Sequence, residues 1–242
     1  MKLGSRNLKL LIGVFYLLVL FFGLYYLFSF IDLKDLTSYG FIKSNKDIII
    51  DYKNNNFIFL TIGFFIFSVI WYLLLGFAGP ILLFSGFIFG KWYGIIIAVL
   101  AASTGTTCLY LLAKLFFTDL IKEKLEPKFS KLKTSFQKNE LFYFTLYRFA
   151  GGGGIPYGIQ NVLPVLFNIS IKNYFIGTFL GSWPTMFITV ALGAGIEKYI
   201  DTNENLSFLK ILSSPDIYLP ILAFVIMILI GFVVKKLFFN KN

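Results

Sequence analysis

Arg148 is the residue of this chain best placed to do chemistry. The sequence holds two arginines against twenty lysines, and Arg148 falls inside the apolar stretch Phe142-Tyr143-Phe144-Thr145-Leu146-Tyr147-Arg148-Phe149-Ala150. Charge within a bilayer is costly, so a guanidinium there marks a functional position by default. Gly151, Gly152, Gly153 and Gly154 follow directly, then Ile155 and Pro156. Four glycines let the backbone turn and approach a ligand closely. Pro156 suits the first turn of a new helix, whose leading N–H groups stay free. A helix start beside a guanidinium attracts an anion, and phosphate fits both. Tyr157 and Asn161 continue that arm. Asn161 and its neighbour Gln160 either bond a headgroup or cap carbonyls of the facing arm. The structural alternative has Arg148 snorkelling to the surface, or tying together carbonyls freed by the glycine break.

Other chemistries lack their parts. Without any histidine, neither a Ser-His-Asp arrangement nor a histidine metal site can be assembled. Between residues 57 and 196 every acid lies in the 119–140 connection. Paired carboxylates for hydrolysis and an intramembrane proton relay are therefore missing, and proton coupling would fall to flanking acids such as Glu140 or Glu197. Cys108 is the single cysteine, which excludes an intrachain disulfide and a thiolate metal site. The chain is expected to be no enzyme and to carry no metal and no cofactor.

The elements that must position Arg148 follow from hydropathy. The chain is 57% hydrophobic and 14% charged over 242 residues, the balance of a polytopic membrane protein. Residues 8–31 are too long for a signal-peptide core and lack a small-residue cleavage site, so they read as a transmembrane helix. Residues 57–90 carry no charge. As one helix they would reach about 51 Å, against about 30 Å for a bilayer core. A helix that enters, breaks at Gly79 and Pro80 and returns fits better, and such breaks occur at membrane depth only where protein or a wet cavity satisfies the backbone.

The net charge of +10 is topological once its residues are placed. Lys2, Arg6 and Lys9 precede the first helix, seven lysines fall within 114–138, and Lys235, Lys236 and Lys241 close the chain. Basic flanks stay cytoplasmic. That holds for all three clusters only if 57–90 returns to its own side before 92–113 crosses. The same count has 141–168 re-enter, 173–196 cross, and 216–234 return. The fold class expected is an all-α polytopic membrane protein: an inverted repeat of re-entrant hairpin plus transmembrane helix, with flanking N- and C-terminal helices. Its parts are 1–56, a transmembrane helix and external loop; 57–197, a core whose two re-entrant loops (57–90 and 141–168) are joined by a basic amphipathic segment, 117–140; and 198–242, an external loop and last helix. The basic balance implies anionic lipid headgroups as partners and no nucleic acid; a homo-oligomer is left open.

Smaller signals place the joints. Ile121, Leu125, Phe129, Leu132 and Phe136 make one helical face, read either as an interfacial helix collecting anionic lipid or as an anchored linker. Ala98, Ala101, Ala102 and Gly105 on one span, and Gly177 and Gly181 on the other, predict close helix packing. Trp183 and Pro184 predict a kink, and Asn168 and Ser170 predict helix caps.

Taken in order, these residues resemble a family. Gly-Pro-Ile-Leu-Leu-Phe-Ser-Gly-Phe-Ile-Phe-Gly-Lys-Trp-Tyr-Gly (79–94), Leu-Leu-Ala-Lys (111–114), Tyr-Arg-Phe (147–149), Ile-Pro-Tyr-Gly-Ile-Gln-Asn (155–161) and Asn-Tyr-Phe-Ile-Gly-Thr-Phe-Leu-Gly-Ser-Trp-Pro (173–184) are similar to the DedA superfamily, also called VTT-domain or SNARE-associated Golgi proteins. The likeness covers about residues 57–197 and is nearer the Golgi- and ER-related branch than DedA proper. It implies two facing re-entrant loops and movement of lipids between leaflets. It also implies roles for Arg148, Pro156 and Asn161 in the second loop, and for Gly79, Pro80, Gly86 and Gly90 in the first. Three features depart from the pattern. The first loop lacks the acids of DedA proper, which argues against proton-driven transport; Lys114 stands where arginine is common; and the run from Gly151 to Gly154 is long.

The expected function is a transporter or scramblase for an anionic, phosphate-headed lipid, with Arg148, Gly151, Gly152, Gly153, Gly154, Pro156, Tyr157 and Asn161 at the site. A small-anion or solute permease would need polar residues on several helices. A non-transporting organiser would act through the basic 119–138 segment and tolerate Arg148→Ala. The membrane expected from the lysine-, asparagine- and phenylalanine-rich composition is a bacterial plasma (inner) membrane, with both termini cytoplasmic.

Overall fold

Long apolar runs without charge fold as helices because a bilayer leaves backbone groups no partner but one another. The structure is a computed structural model. It describes residues 39–74, 77–119, 121–124, 136 and 139–199, with isolated positions within 13–29 and 213–226. Among the described residues every element is helical: α1 (Tyr39–Asn55), α2 (Phe57–Leu73), α3 (Ala78–Phe116), α4 (Glu140–Phe149), α5 (Tyr157–Val162), α6 (Ile171–Gly181) and α7 (Trp183–Tyr199). Short 3-10 turns occupy Gly151–Gly154 and Leu163–Phe167. Among the described residues one helix, α3, is long and apolar enough to cross a membrane. Two bent pairs have the same character, α1 with α2 (108°) and α6 with α7 (49°). The terminal helices expected at 8–31 and 216–234 lie outside the described residues apart from isolated positions, as does most of 117–140.

The first half is a hairpin followed by a long arm. Gly90 interrupts α3 with φ 75° and ψ 173°, a region essentially closed to residues with a Cβ. The chain doubles back there: the Ser85 hydroxyl donates to the Gly94 carbonyl at 2.8 Å, although nine residues of straight helix would span about 13 Å. Residues 78–89 thus run back along α2. Phe89 reaches Phe57 and Phe64, with ring centroids 6.1 and 5.3 Å apart. Residues 91–116 then run parallel to α2, for Phe57 meets Tyr93 and Val69 meets Gly105. The segment 57–90 therefore returns to the level at which it began.

The break itself differs from the expected one. It falls between Leu73 and Ala78, ahead of Gly79 and Pro80. Pro80 sits in the first turn of α3, where its missing N–H removes no helical bond. Trp71 Nε1 ties the break shut by donating to the Phe77 carbonyl at 2.8 Å. Residues 39–55, expected within a loop, form α1 instead.

The second half follows the same course. Asn139 caps α4, its side chain accepting from the Phe142 N–H at 3.1 Å. Residues 151–169 return, and Asn168 ends the second 3-10 turn in the left-handed region. Ser170 then caps α6. Glu140 closes the hairpin at its mouth, accepting from the Ser170 N–H and from Asn173 Nδ2. Its carboxylate is engaged in capping. α6 runs parallel to α4: Gly177 lies on Phe144, and Gly181 on Thr145 and Arg148. The bend at Ser182 precedes Pro184, as the Trp183-Pro184 pair predicts.

The halves run antiparallel and interlock. Trp92 meets Phe187, and Tyr110 stacks on Tyr174 with ring centroids 4.5 Å apart. Met186 and Val190 of α7 complete the core of the first hairpin, while Tyr110 and Ala113 of α3 complete that of the second. Ile121 and Phe136, the described members of the amphipathic face, are buried in this second core rather than turned to lipid. The small residues do what their spacing predicts. Ala98, Ala101 and Ala102 are fully buried, and a Cβ on Gly105 would lie 2.6 Å from the Val69 carbonyl oxygen.

The tightest approach is at Gly86, where a Cβ would fall 1.8 Å from the Val190 carbonyl oxygen; at Gly79 it would meet nothing within 4 Å. Gly86→Ala is expected to part α3 from α7 and lower stability by about 1–3 kcal/mol. Gly79→Ala should be neutral or mildly stabilising. Thermal unfolding of the two variants in mild detergent checks both expectations.

Candidate functional site

Arg148 is brought into the protein interior by α4. The ten-residue helix starts at the hairpin mouth and ends beside the glycine turn, which puts Arg148 in its last turn, only 4% exposed. Gly181 lets α6 pass so close that any side chain there would strike the Arg148 Cβ. The guanidinium points across the hairpin. Nη1 donates to Asn161 Oδ1 at 2.8 Å, and Nη2 donates to the Tyr174 hydroxyl at 2.7 Å. The Tyr174 hydroxyl in turn donates to the Asn161 backbone carbonyl at 2.9 Å. Arm, returning arm and following helix are thereby joined at one point.

Two aromatic rings flank the cation. Its Cζ lies 5.2 Å from the Phe144 ring centroid and 5.4 Å from that of Tyr174, within the range where ring quadrupoles attract a cation. Phe144 is one turn before Arg148 on α4. Tyr174 is backed by Tyr110, whose hydroxyl donates to the Ile169 carbonyl. Each partner of Arg148 is neutral, and among the described residues no carboxylate pairs with it. Its Nε is buried without a protein acceptor. Guanidinium stays protonated under all ordinary conditions, so a full positive charge is held here with no counterion among the described residues.

The glycine turn plays a different part from the one expected. Gly151 and Gly152 take φ of 62° and 69°. A Cβ on Gly152 would lie 2.2 Å from Gln160 Cδ. Gln160 occupies that space, and its Nε2 donates to the carbonyls of Gly151, at 2.9 Å, and Ile155. Of the two roles open to Gln160, it takes the capping one. Gly153 and Gly154 complete the turn. Pro156 stands just outside α5 as its cap, in extended conformation, and α5 has only six residues. Arg148 bonds Asn161, five residues beyond Pro156, rather than the helix start. Tyr157 packs at the edge of the first hairpin's core, where its ring lies 6.1 Å from that of Tyr72.

Of the residues named from sequence, Arg148 and Asn161 come together directly, and Tyr157 lies between them and the first hairpin. Gly79, Pro80, Gly86 and Gly90 shape that hairpin and its seat on α7. Tyr174 and Phe144 were missed. The signal for Phe144 is its position four residues before Arg148, on the same helical face. Tyr174 carries none in its neighbourhood, since its partner is 26 residues away.

Large apolar side chains cover the outside. Ile58, Phe59, Ile62, Ile66 and Ile70 of α2 are exposed, as are Trp92 and Ile96 of α3. Such an apolar exterior around a buried cation is that of an integral membrane protein. Residues 78–195 match the family model of the VTT domain. The match starts at Ala78, so α2 precedes it, whereas the motif likeness extends from about residue 57. Two relatives are both described as a Transmembrane protein 41 homolog. The one from Caenorhabditis elegans is 24% identical over 63% of this chain and 63% of its own length. The one from Dictyostelium discoideum is 27% identical over 71% of this chain and 52% of its own length. The chain thus covers less than two thirds of either relative. No solved structure matches it.

Tyr174→Phe removes both an acceptor for Arg148 and a donor to Asn161 while keeping the ring. Leaving a charged donor unpaired in this setting should cost about 1–3 kcal/mol. A lowered midpoint in detergent unfolding checks this, and Tyr143→Phe on the same hairpin serves as the control.

Proposed function

We propose that the chain moves an anionic, phosphate-headed lipid between leaflets, with Arg148 binding the headgroup. The observation that carries this reading is the buried guanidinium with no carboxylate beside it among the described residues, held between the arms of the second hairpin and α6. A structural cation in a protein core is ordinarily paired with an acid. Here the neutral frame of Asn161, Tyr174 and Phe144 orients the charge and leaves it net positive, as suits a site for a ligand that arrives negative.

The course of the chain supports the rest. Two antiparallel halves, each a hairpin followed by a longer arm, have the form of an inverted repeat whose joints lie near mid-membrane. In that arrangement the basic flanks at 2–9, 114–138 and 235–241 stay on the cytoplasmic side. A lipid needs only its headgroup sheltered, because its tails remain in hydrocarbon. That accounts for a site with one charge and few polar neighbours, whereas a solute permease needs an enclosed polar route. The family resemblance implies lipid movement, and both relatives are eukaryotic, while the composition favours a bacterial membrane. The reading requires only a bilayer containing anionic lipid.

The test is leaflet-to-leaflet transfer in proteoliposomes, with a chain-labelled phosphatidic acid as probe. Arg148→Ala should fall to the protein-free rate. Arg148→Lys should retain part of the activity, since an ammonium keeps the charge but loses the planar fork. Undiminished transfer by Arg148→Ala would refute the site.

A further inference from the structure

The first hairpin also contains polar groups that the Arg148 site does not use. Thr61, Ser68 and Tyr72 of α2 each carry a buried side-chain oxygen with no hydrogen-bond partner among the described residues. Ser68 and Tyr72 are fully buried, each at 0% exposure. The spacing of seven and four residues places all three within about 40° of one another around the helix, with Phe65 between them. This face is turned inward at Ser68 and Tyr72, while the exposed Ile66 and Ile70 lie on the far side of the helix. Hydroxyls on a helix ordinarily bond the carbonyl four residues back, as Ser103, Thr106 and Thr107 do on α3 at 2.7, 2.7 and 2.6 Å. Ser68 and Thr61 do not. A buried hydroxyl left unpaired is a cost that an apolar side chain of the same shape would avoid.

The row has a direction. Tyr72 is at the closed tip of the hairpin, against Tyr157, which stands one turn before Asn161, the partner of Arg148, on α5. Thr61 is one turn from the start of α2 at the hairpin mouth. Eleven residues of helix between Thr61 and Tyr72 span about 16 Å, half a bilayer core. We infer that these hydroxyls are the path by which the headgroup travels between Arg148 and the mouth of the first hairpin. Tyr72 takes the phosphate oxygens from Arg148, and Ser68 and Thr61 receive them in sequence. The path is shut in this structure, and the headgroup would pass when α2 moves away from α3. The inference rests on the lipid-moving reading of Arg148, which it extends to the other half of the molecule.

The experiment uses the full-length chain in phosphatidylcholine vesicles with chain-labelled phosphatidic acid as the probe. Tyr72→Phe and Ser68→Ala each remove one oxygen and little volume. Each should slow transfer about fivefold or more, the weight of one hydrogen bond in the rate-limiting state. Their melting temperatures in detergent should stay the same or rise, because an unpaired buried hydroxyl has been removed. Thr104→Ala, whose hydroxyl bonds the Leu100 carbonyl on an exposed face of α3, should change neither. If Arg148→Lys slows transfer while Tyr72→Phe and Ser68→Ala match the wild type, the path is overturned and the Arg148 site stands. A rate loss accompanied by a lower melting temperature assigns these hydroxyls to folding and also overturns the path. Wild-type vesicles that transfer no faster than protein-free ones refute the reading of Arg148, and the path with it.

Discussion

A guanidinium inside a bilayer must obtain from the protein what water would otherwise supply, and the hairpin around Arg148 is built to do so. Placing arginine at the centre of a helix in a membrane costs about 2.5–3.5 kcal/mol on insertion scales and more in simulation. A hydrogen bond to a charged group returns about 1.5–3 kcal/mol, and a desolvated cation–π contact up to about 2. Two of each surround Arg148, enough to hold the cation in place without neutralising it. Each contact also determines part of the backbone. Asn161 sets where the returning arm lies, Tyr174 sets the register of α6, and Phe144 sets the rotation of α4. Moving any of the three would strand the charge.

The frame can be this tight because glycine removes the usual spacing between helices. Gly177 and Gly181 bring α6 onto α4, Gly105 brings α3 onto α2, and Gly86 and Gly193 bring α3 onto α7. Between apolar helices in lipid there is no hydrophobic drive to associate, so close van der Waals contact supplies most of the attraction. Backbone-to-backbone approach maximises it. Each half also completes the other's core: Met186 and Val190 enter the first, Tyr110 and Ala113 the second. Neither hairpin would be packed on all sides alone. A shift of α2 against α3 would therefore be felt at Tyr157, which touches the first core while belonging to the second hairpin.

How much of this was legible in the sequence depended on distance along the chain. The return of 57–90 followed from charge parity, and the close-packed spans from small residues four apart. These are local or compositional signals with few readings. Arg148 stood out because charge is rare in apolar runs. The exact break was not legible: Gly79 and Pro80 are strong breakers, yet a proline in the first turn costs a helix nothing, so the break moved ahead of them to the end of α2. The glycine run reads as ligand-facing, although its conformation serves Gln160, whose amide satisfies carbonyls that the turn leaves open. Tyr174 was invisible because nothing near it in sequence announces Arg148. Only the folded register of α6 on α4 brings the two together.

On the proposed lipid-moving reading, the same physics explains why so few polar residues suffice. A lipid's hydrocarbon needs no shelter, so the protein has only to replace the hydration of a phosphate. One fixed positive charge does most of that, since phosphate is itself the stronger-hydrated partner and gains most from a full charge. Further acids would neutralise Arg148 and turn a binding site into a structural ion pair. Further cations would hold the headgroup too firmly to release it. Neutral hydroxyls on the opposite hairpin avoid both outcomes, because they bond phosphate oxygens weakly enough to exchange. On the lipid-moving reading, Arg148 in a frame without acids among the described residues, facing a row of unpaired hydroxyls, is what such a compromise between capture and release requires.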